Sequence, residues 1–459
     1  MVPVRSGTET DPILAAGRGP RQGANGTPHV GPAQPGAATR ASDALARALR
    51  PLHLAAMSNE PPLHDLRVLE LAGVLAGPTA GMFLAELGAD VIKVENPATN
   101  GDVTRGWRLP EEDGSSDTPA YFCAANWGKR SIAIDLGLPG GREIVKSLAR
   151  RTDVVLASYR PGQAESLGVD AGTLMDLNPR LIYAEVTAYG RDDTRPGYDA
   201  LLQAGTGFMS INGESGARPL KMPVALMDLL AAHQMKEAVL LAVLQREKTG
   251  VGTHVTTSLV RSGLSSLANQ ATGWMTTGQV PVPLGSGHPS IVPYGEVWEC
   301  ENDEPVVLAI GTDRQFARLC EAIEAPRLAI DPRFRRNPDR VVNRQALRTE
   351  LEPRLAAVSR GELLETLAGL GVPAGPVLNV AEALSSPDAA PLLLRDDDRY
   401  GLRTVALDDG ISTVVDLRPP PRLSEDADSI LRHDLLLSAE ESRALIADGI
   451  VLPPEVRHG

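Results

Sequence analysis

The sequence predicts an α/β protein: a doubly wound, mostly parallel sheet with a second, smaller α+β domain. Three observations carry that expectation. From Leu66 onward, short apolar runs alternate with helix-length segments. These apolar runs suit a parallel sheet covered on both faces. The alternation then breaks at Pro281, Pro283, Gly285, Gly287 and Pro289, which punctuate a loop without periodicity.

Arg67-Val68-Leu69-Glu70-Leu71 reads as the first strand, followed by a tight loop from Ala72 to Gly77. Pro78 is expected at the first helical position, where a missing N–H costs nothing, and Gly88 as the stop. Ala89 to Glu95 then completes a strand-helix-strand unit. Further strands are expected over Ser131 to Leu136, Asp153 to Tyr159 and Arg180 to Val186, with a helix from about Gly140 to Arg150. After Asp228 a long helix should bury Leu230, Val239, Leu240, Leu241, Val243 and Leu244 as one stripe and end at Thr249-Gly250. His254 to Leu259 returns to strand. Beyond the loop, Glu296 to Cys300 and Pro305 to Ile310 read as paired strands, followed by helices rich in Arg and Leu to about Leu370. The expected division is an extension over 1–56, a large domain over 57–275 to which 405–459 returns, and a small domain over 276–404.

Composition narrows the function. A chain of 459 residues can bury more than one core. A formal net charge of −13 excludes nucleic-acid binding through a basic surface, and no apolar run is long enough for a bilayer span. Small molecules or other subunits are the expected partners. Cys123, Cys300 and Cys320 are far apart and unmatched at metal-ligand spacing, so neither disulfides nor a metal is expected, and a reducing, cytoplasmic setting is. Residues 1–56 are rich in Gly, Pro, Ala and Arg, lack Lys, and are too poor in apolar periodicity to fold alone. A presequence is the alternative reading, weakened by Glu9 and Asp11.

Familiar local motifs fail on spacing. Gly73, Gly77 and Gly81 recur every fourth residue, whereas a pyrophosphate turn needs G-x-G. There is no Gly-Lys-Ser/Thr phosphate loop and no G-x-S-x-G elbow. His233 lies within a helix and His288 in the punctuated loop, and both read as structural. Asp228 stands out: an apolar stretch ends in one carboxylate at a helix start. Such a group can cap the helix, or be held ionised by the helix N-terminus as a nucleophile.

Several segments in one order carry a resemblance. These are Leu75-Ala76-Gly77-Pro78, Leu87 to Glu95, Gly128-Lys129-Arg130-Ser131-Ile132, Arg195-Pro196-Gly197-Tyr198-Asp199, and Asp228 with Lys248-Thr249-Gly250. Together they resemble the class III CoA-transferase family. His288 to Tyr294, followed by Asp313-Arg314-Gln315-Phe316, is similar to its succinyl-CoA:glutarate branch. The resemblance implies a homodimer of interlocked rings, a Rossmann-like large domain built from N- and C-terminal parts, and active sites between domains at the dimer interface. It also implies Asp228 as nucleophile and no cofactor beyond CoA and acyl-CoA as substrates. CoA contacts are implied at Leu75, Ala76, Ile134, Leu136, Gly137, Ser158, Tyr159, Arg160, Pro196 and Asp199, and a lid at Gly285, Ser286 and Gly287. The chain departs from the family where some members have Gln at Leu75 and Arg at Asn96 and Ser166, so Arg160 or Arg105 is expected to meet the CoA phosphates. A 2-methylacyl-CoA racemase is the rival reading within the fold. It is disfavoured by Tyr198 before Asp199, since a phenol titrates near pH 10 and imidazole near neutrality. A non-catalytic CoA-binding protein is the rival from another class. The acids exchanged are not written in these residues.

Overall fold

A computed structural model describes residues 60–407 and 416–454. The extension assigned to residues 1–56 lies outside the described residues. Six parallel strands form the main sheet: β1 (Arg67–Leu71), β2 (Asp90–Glu95), β3 (Lys129–Ala133), β4 (Val154–Ala157), β5 (Ile182–Thr187) and β6 (His254–Ser258). Their order is β3-β2-β1-β4-β5-β6, so the direction of winding reverses between β1 and β4. In such sheets that reversal opens a crevice at the carboxyl ends of the strands.

The period of two along each strand divides the core. Leu69, Leu71, Ile132, Val155 and Tyr183 face the helix Pro139–Ala149 and the C-terminal residues Ala427, Ile430, Leu431 and Val451. Val68, Val91, Val154, Leu156 and Ile182 face the helices Ala76–Glu86 and Leu226–Thr249. Because both faces are covered, the strands carry the apolar runs visible in the sequence.

Three expectations need correction. Pro78 is the third residue of its helix, still within the first turn, whose N–H groups have no intrahelical acceptor. The glycines every fourth residue serve packing: a Cβ at Gly77 would lie 2.4 Å from the Ala72 Cβ, and one at Gly81 would lie 1.9 Å from Glu70 Oε2. The long helix starts at Leu226, ahead of Asp228, and buries Met227, Ala231, Ala232, Met235, Val239 and Ala242. Leu241 and Leu244, assigned to the buried stripe, are 66% and 59% exposed. Alanines and methionines sit on the inner face because the helix lies close to β5 and to the helix Ala76–Glu86.

A second core gathers around β7 (Tyr294–Glu299), β8 (Pro305–Ala309) and β9 (Ala374–Pro376), an antiparallel sheet. Trp298, Leu308, Phe316, Leu319, Phe334 and Leu351 fill it. A hairpin, β10 (Leu393–Asp396) with β11 (Arg399–Leu402), follows. Among the described residues no helix is long and apolar enough to cross a membrane.

Candidate active site

Two adjoining clefts open at the carboxyl ends of the main sheet and share Gly73 and Tyr159. The first, about 320 Å³, is lined by Lys93, Glu95, Asn96, Asp102, Ile134, Leu136 and Gly137, among others. The second, about 470 Å³, is lined by Ala76, Ser158, Arg160, Pro196, Tyr198, Asp199 and Asp228, among others. The residues implied for CoA thus fall along one continuous depression. Leu75 precedes the helix Ala76–Glu86 but lines neither cleft. Gly285, Ser286 and Gly287 are not brought to it either: the Gly285 N–H donates to the Gly213 carbonyl at 2.9 Å, and the Gly287 N–H to that of Leu284 at 3.1 Å.

Asp228 does not cap its helix. The N-cap is Ala225, and Asp228 is the third helical residue, half-buried, with no hydrogen-bond donor on its carboxyl group among the described residues. Helix-end charge was expected to keep it ionised. Burial instead pushes it up to about 7, helped by the negative charge of Asp199. Desolvation outweighs the partial charge of a helix end when no side chain or backbone donor reaches the carboxylate.

Asp199 has a different environment. Its Oδ1 accepts the Met227 N–H at 2.7 Å and its Oδ2 accepts Gln203 Nε2 at 2.7 Å. It lines the cleft with its carboxylate already engaged by protein donors, which argues against its assignment as a CoA contact.

The loop after β1 is held from beneath by a buried charge network. Lys93 Nζ meets Glu70 Oε1 at 3.0 Å and Asp102 Oδ2 at 2.9 Å, and Lys129 Nζ meets Glu70 Oε2 at 2.8 Å. Asp102 accepts the Val74 N–H at 3.2 Å and both the N–H and the hydroxyl of Thr104, while Ser158 Oγ accepts the Gly73 N–H at 3.1 Å. Val74 sits at φ 70°, a left-handed conformation that its hydrogen bond to Asp102 offsets. Burial opposes ionisation of Asp102, yet the Lys93 ammonium and the Thr104 donors prevail and bring it down to about 2. Burial likewise pushes Lys129 down to about 8, in spite of Glu70.

This network overturns the assignment of Arg105 to CoA phosphates. Its guanidinium is bidentate on Glu95, with Nε and Nη2 each 2.7 Å from a carboxylate oxygen, lies on the Phe122 ring and is 2% exposed. Arg160 is different: it is exposed, lines the second cleft, and its guanidinium has no acceptor among the described residues.

Sequence reasoning missed three contributors. Gln203 stands one turn after Asp199, an i, i+4 spacing that was legible. Asp102 carries no local signal, because its function depends on Val74, distant in sequence. Tyr121 comes from the connection between β2 and β3. Burial and the charges of Asp228 and Asp199 push its phenol up, although Tyr121 lines neither cleft.

The sequence model of CoA-transferase family III matches residues 63–398. Succinate–glutarate CoA-transferase from Agrobacterium fabrum is 36% identical over 390 residues, 82% of this chain and 96% of that protein. Acetyl-CoA:oxalate CoA-transferase from Acetobacter aceti is 36% identical over 333 residues, 72% of this chain and 84% of that protein. The crystal structure of a CAIB/BAIF family protein from Brucella suis superposes with TM-score 0.73 at 36% identity, covering 82% of this chain and all of that one (100%). With a cleft at the sheet's carboxyl edge and these matches over most of its length, the chain belongs to CoA-transferase family III and is an enzyme that transfers CoA.

Proposed function

We propose that the protein moves CoA from a dicarboxylyl-CoA, such as succinyl-CoA, to a free carboxylic acid, with Asp228 as covalent nucleophile. One observation carries the mechanism: Asp228 is a half-buried carboxyl group in the larger cleft with no hydrogen-bond donor spent on it among the described residues. The dicarboxylate reading is supported by the two relatives, whose names carry glutarate, succinate and oxalate. A carboxylate oxygen of Asp228 attacks the thioester carbonyl carbon; the new C–O bond forms as the C–S bond breaks, and CoA leaves as thiolate. The thiolate then attacks the side-chain carbonyl carbon of Asp228, releasing the donor acid and leaving an aspartyl-CoA thioester. The acceptor carboxylate displaces CoA as thiolate to form a second anhydride. Attack of that thiolate on the acceptor carbonyl yields the new acyl-CoA and restores Asp228. One thioester replaces another of similar energy, so neither ATP nor a metal is called for. Water must be kept out, because it hydrolyses the anhydride.

The same reading makes the enzyme a homodimer in which a second copy brings its Gly285-Ser286-Gly287 segment over the cleft. Supporting this, the helix Ala268–Thr277 buries no residue and exposes Trp274 and Met275 at 52% and 67%, and Leu241 and Leu244 are exposed on the helix Leu226–Thr249. The buried free thiols of Cys123, Cys300 and Cys320 support a reducing compartment, the cytoplasm. Mass spectrometry after mixing with succinyl-CoA tests the proposal: a CoA adduct is expected on the peptide containing Asp228 and absent in Asp228→Ala. Rapid α-proton exchange of a 2-methylacyl-CoA in deuterated water, with no adduct and no acceptor acid, would establish the racemase instead.

A further inference from the structure

The first turn of the helix that carries Asp228 has no cap of its own. Ala225 occupies the N-cap position with no side-chain acceptor, although the opening N–H groups of any helix need one. The missing acceptor comes from another element. Helix Asp199–Gly205 presents Asp199 and, one turn later, Gln203 on the same face. Asp199 Oδ1 takes the Met227 N–H at 2.7 Å, next to Asp228 in sequence. Gln203 is fully buried and uses both ends of its amide on the segment leading into the helix. Its Oε1 accepts the Met222 N–H at 2.9 Å, and its Nε2 donates to the carbonyls of Met222 at 3.3 Å and Val224 at 3.2 Å. The same Nε2 donates to Asp199 Oδ2 at 2.7 Å, so the two side chains form one clamp. Thr206, next after this helix, donates its hydroxyl to the sulfur of the buried Met227 at 3.6 Å.

We propose that Asp199 and Gln203 are positioning residues for the CoA-transfer reaction: their clamp fixes the turn that carries Asp228, and the Asp199 charge activates the neighbouring carboxylate. The proposal rests on the reading of Asp228 as nucleophile. Its physical content lies in what changes on acylation. Ionised Asp228 faces a second negative charge, which helps to keep its carboxyl up at about 7. Once the carboxylate has become an anhydride or a thioester, that charge is gone and the repulsion with it. An interaction unfavourable in the resting enzyme and relieved along the reaction lowers the barrier to attack. Asp199 itself does not react, since both its oxygens are occupied by N–H donors.

The other charged and titratable groups around the cleft leave Asp199 as the distinctive neighbour. Asp193 and Arg195 pair with each other at 2.6 Å. Tyr159 and Tyr121 are phenols pushed upward, by burial and, for Tyr121, also by the carboxylates. Tyr198 and Arg160 are exposed.

Asp199→Asn removes the charge and keeps an acceptor for the Met227 N–H, while its amide nitrogen can no longer accept from Gln203 Nε2; Gln203→Met, which breaks the same contact and leaves the charge in place, is therefore its control. The pH profile of kcat/KM, which reports the free enzyme, rises with pH as Asp228 ionises. In Asp199→Asn that rise should move to lower pH by about one unit. In Gln203→Met, close in volume but without the amide, the rise should stay in place while kcat falls about tenfold and KM for succinyl-CoA holds within about twofold. Two results overturn the proposal: a tenfold higher KM in Asp199→Asn with the pH profile unmoved, which makes Asp199 a CoA contact, or a parental kcat in Gln203→Met. The second variant carries the test alone if the first does not fold by circular dichroism. The CoA adduct on the Asp228 peptide is followed in parallel. Its absence from the parent enzyme overturns the nucleophile and the clamp together, whereas its presence beside unmoved kinetics overturns the clamp only.

Discussion

Asp102 and Asp228 lie on neighbouring clefts that share the Gly73 loop, and their surroundings are opposite. Asp102 is buried and accepts from Lys93, the backbone of Val74 and Thr104, and the Thr104 hydroxyl. Asp228 is half-buried with none among the described residues, and the charge that acts on it is that of another carboxylate, Asp199. One carboxyl group is held down to about 2, the other pushed up to about 7. The contrast separates two uses of one side chain. A carboxylate that accepts four donors is a fixed strut; one without donors keeps its lone pairs available and its basicity high, as a nucleophile requires.

The largest expected effect breaks the comparison on the reactive side. Asp228→Asn keeps the shape and removes the attacking anion, so CoA exchange between succinyl-CoA and a labelled acid should fall on the order of a thousandfold or more. Chromatography of the acyl-CoA pool measures it, with fresh protein checked for deamidation back to the acid. An exchange rate within tenfold of the parent would mean that the carboxylate left without donors is not the reacting group.

On the structural side the expected damage is to stability. Lys93→Met leaves Glu70 and Asp102 buried without their shared cation, and loss of one partner from such a buried set costs about 3–5 kcal/mol. Urea denaturation followed by circular dichroism reads this directly. The acid side has its own signature. Because the folded pKa of Asp102 lies below the ordinary carboxylate value, its contribution is complete above about pH 4 and is lost as the pH falls toward 2.

For Asp228 the sign reverses. Its folded pKa lies above the unfolded value, so the folded state holds the proton more tightly between about pH 4 and 7, and ionisation at higher pH weakens the fold. Asp228→Asn should therefore melt at a higher temperature than the parent at pH 8, with a smaller gain at pH 5. An equal gain at both values would show that ionisation of Asp228 carries no strain.

These opposite environments explain what the sequence could and could not tell. A continuous apolar strand such as Val154–Ala157 states the parallel sheet directly, because burial on two faces favours apolar residues at successive positions, whereas Glu70 interrupts Val68–Leu71 as part of the buried charge network. Asp228 was legible as one carboxylate ending an apolar stretch, whereas Ser158, Tyr159 and Arg160 were implied by the family resemblance, and the strand expected to end with Ser158 and Tyr159 closes at Ala157. The helix start was misplaced because Ala225 offers no capping side chain to read; the acceptor lies on Asp199, in another helix. The Lys93 network was invisible for the same reason. Its members span Glu70 to Lys129, and nothing in their spacing announces that three strands bring them together. Arg105 was misassigned because a basic residue near a ligand loop reads alike whether its acceptor is a phosphate or a buried Glu95.

The smallest expected effect sharpens the choice of cation. Arg160 follows β4 at the carboxyl edge of the sheet, exposed, with no acceptor for its guanidinium among the described residues, whereas Arg105 is consumed by Glu95 and Arg195 by Asp193. A free guanidinium at such an edge suits a phosphate, which it meets with two parallel N–H donors. An exposed contact of this kind contributes about 1 kcal/mol, so Arg160→Ala should raise KM for succinyl-CoA about fivefold with kcat unchanged. The effect should shrink as salt rises from about 0.05 to 0.5 M, because screening acts on exposed charges. Arg160→Lys keeps the charge and loses the fork, and should fall between. An unchanged KM in Arg160→Ala at low salt would leave the CoA phosphates to solvent or to a second copy of the chain.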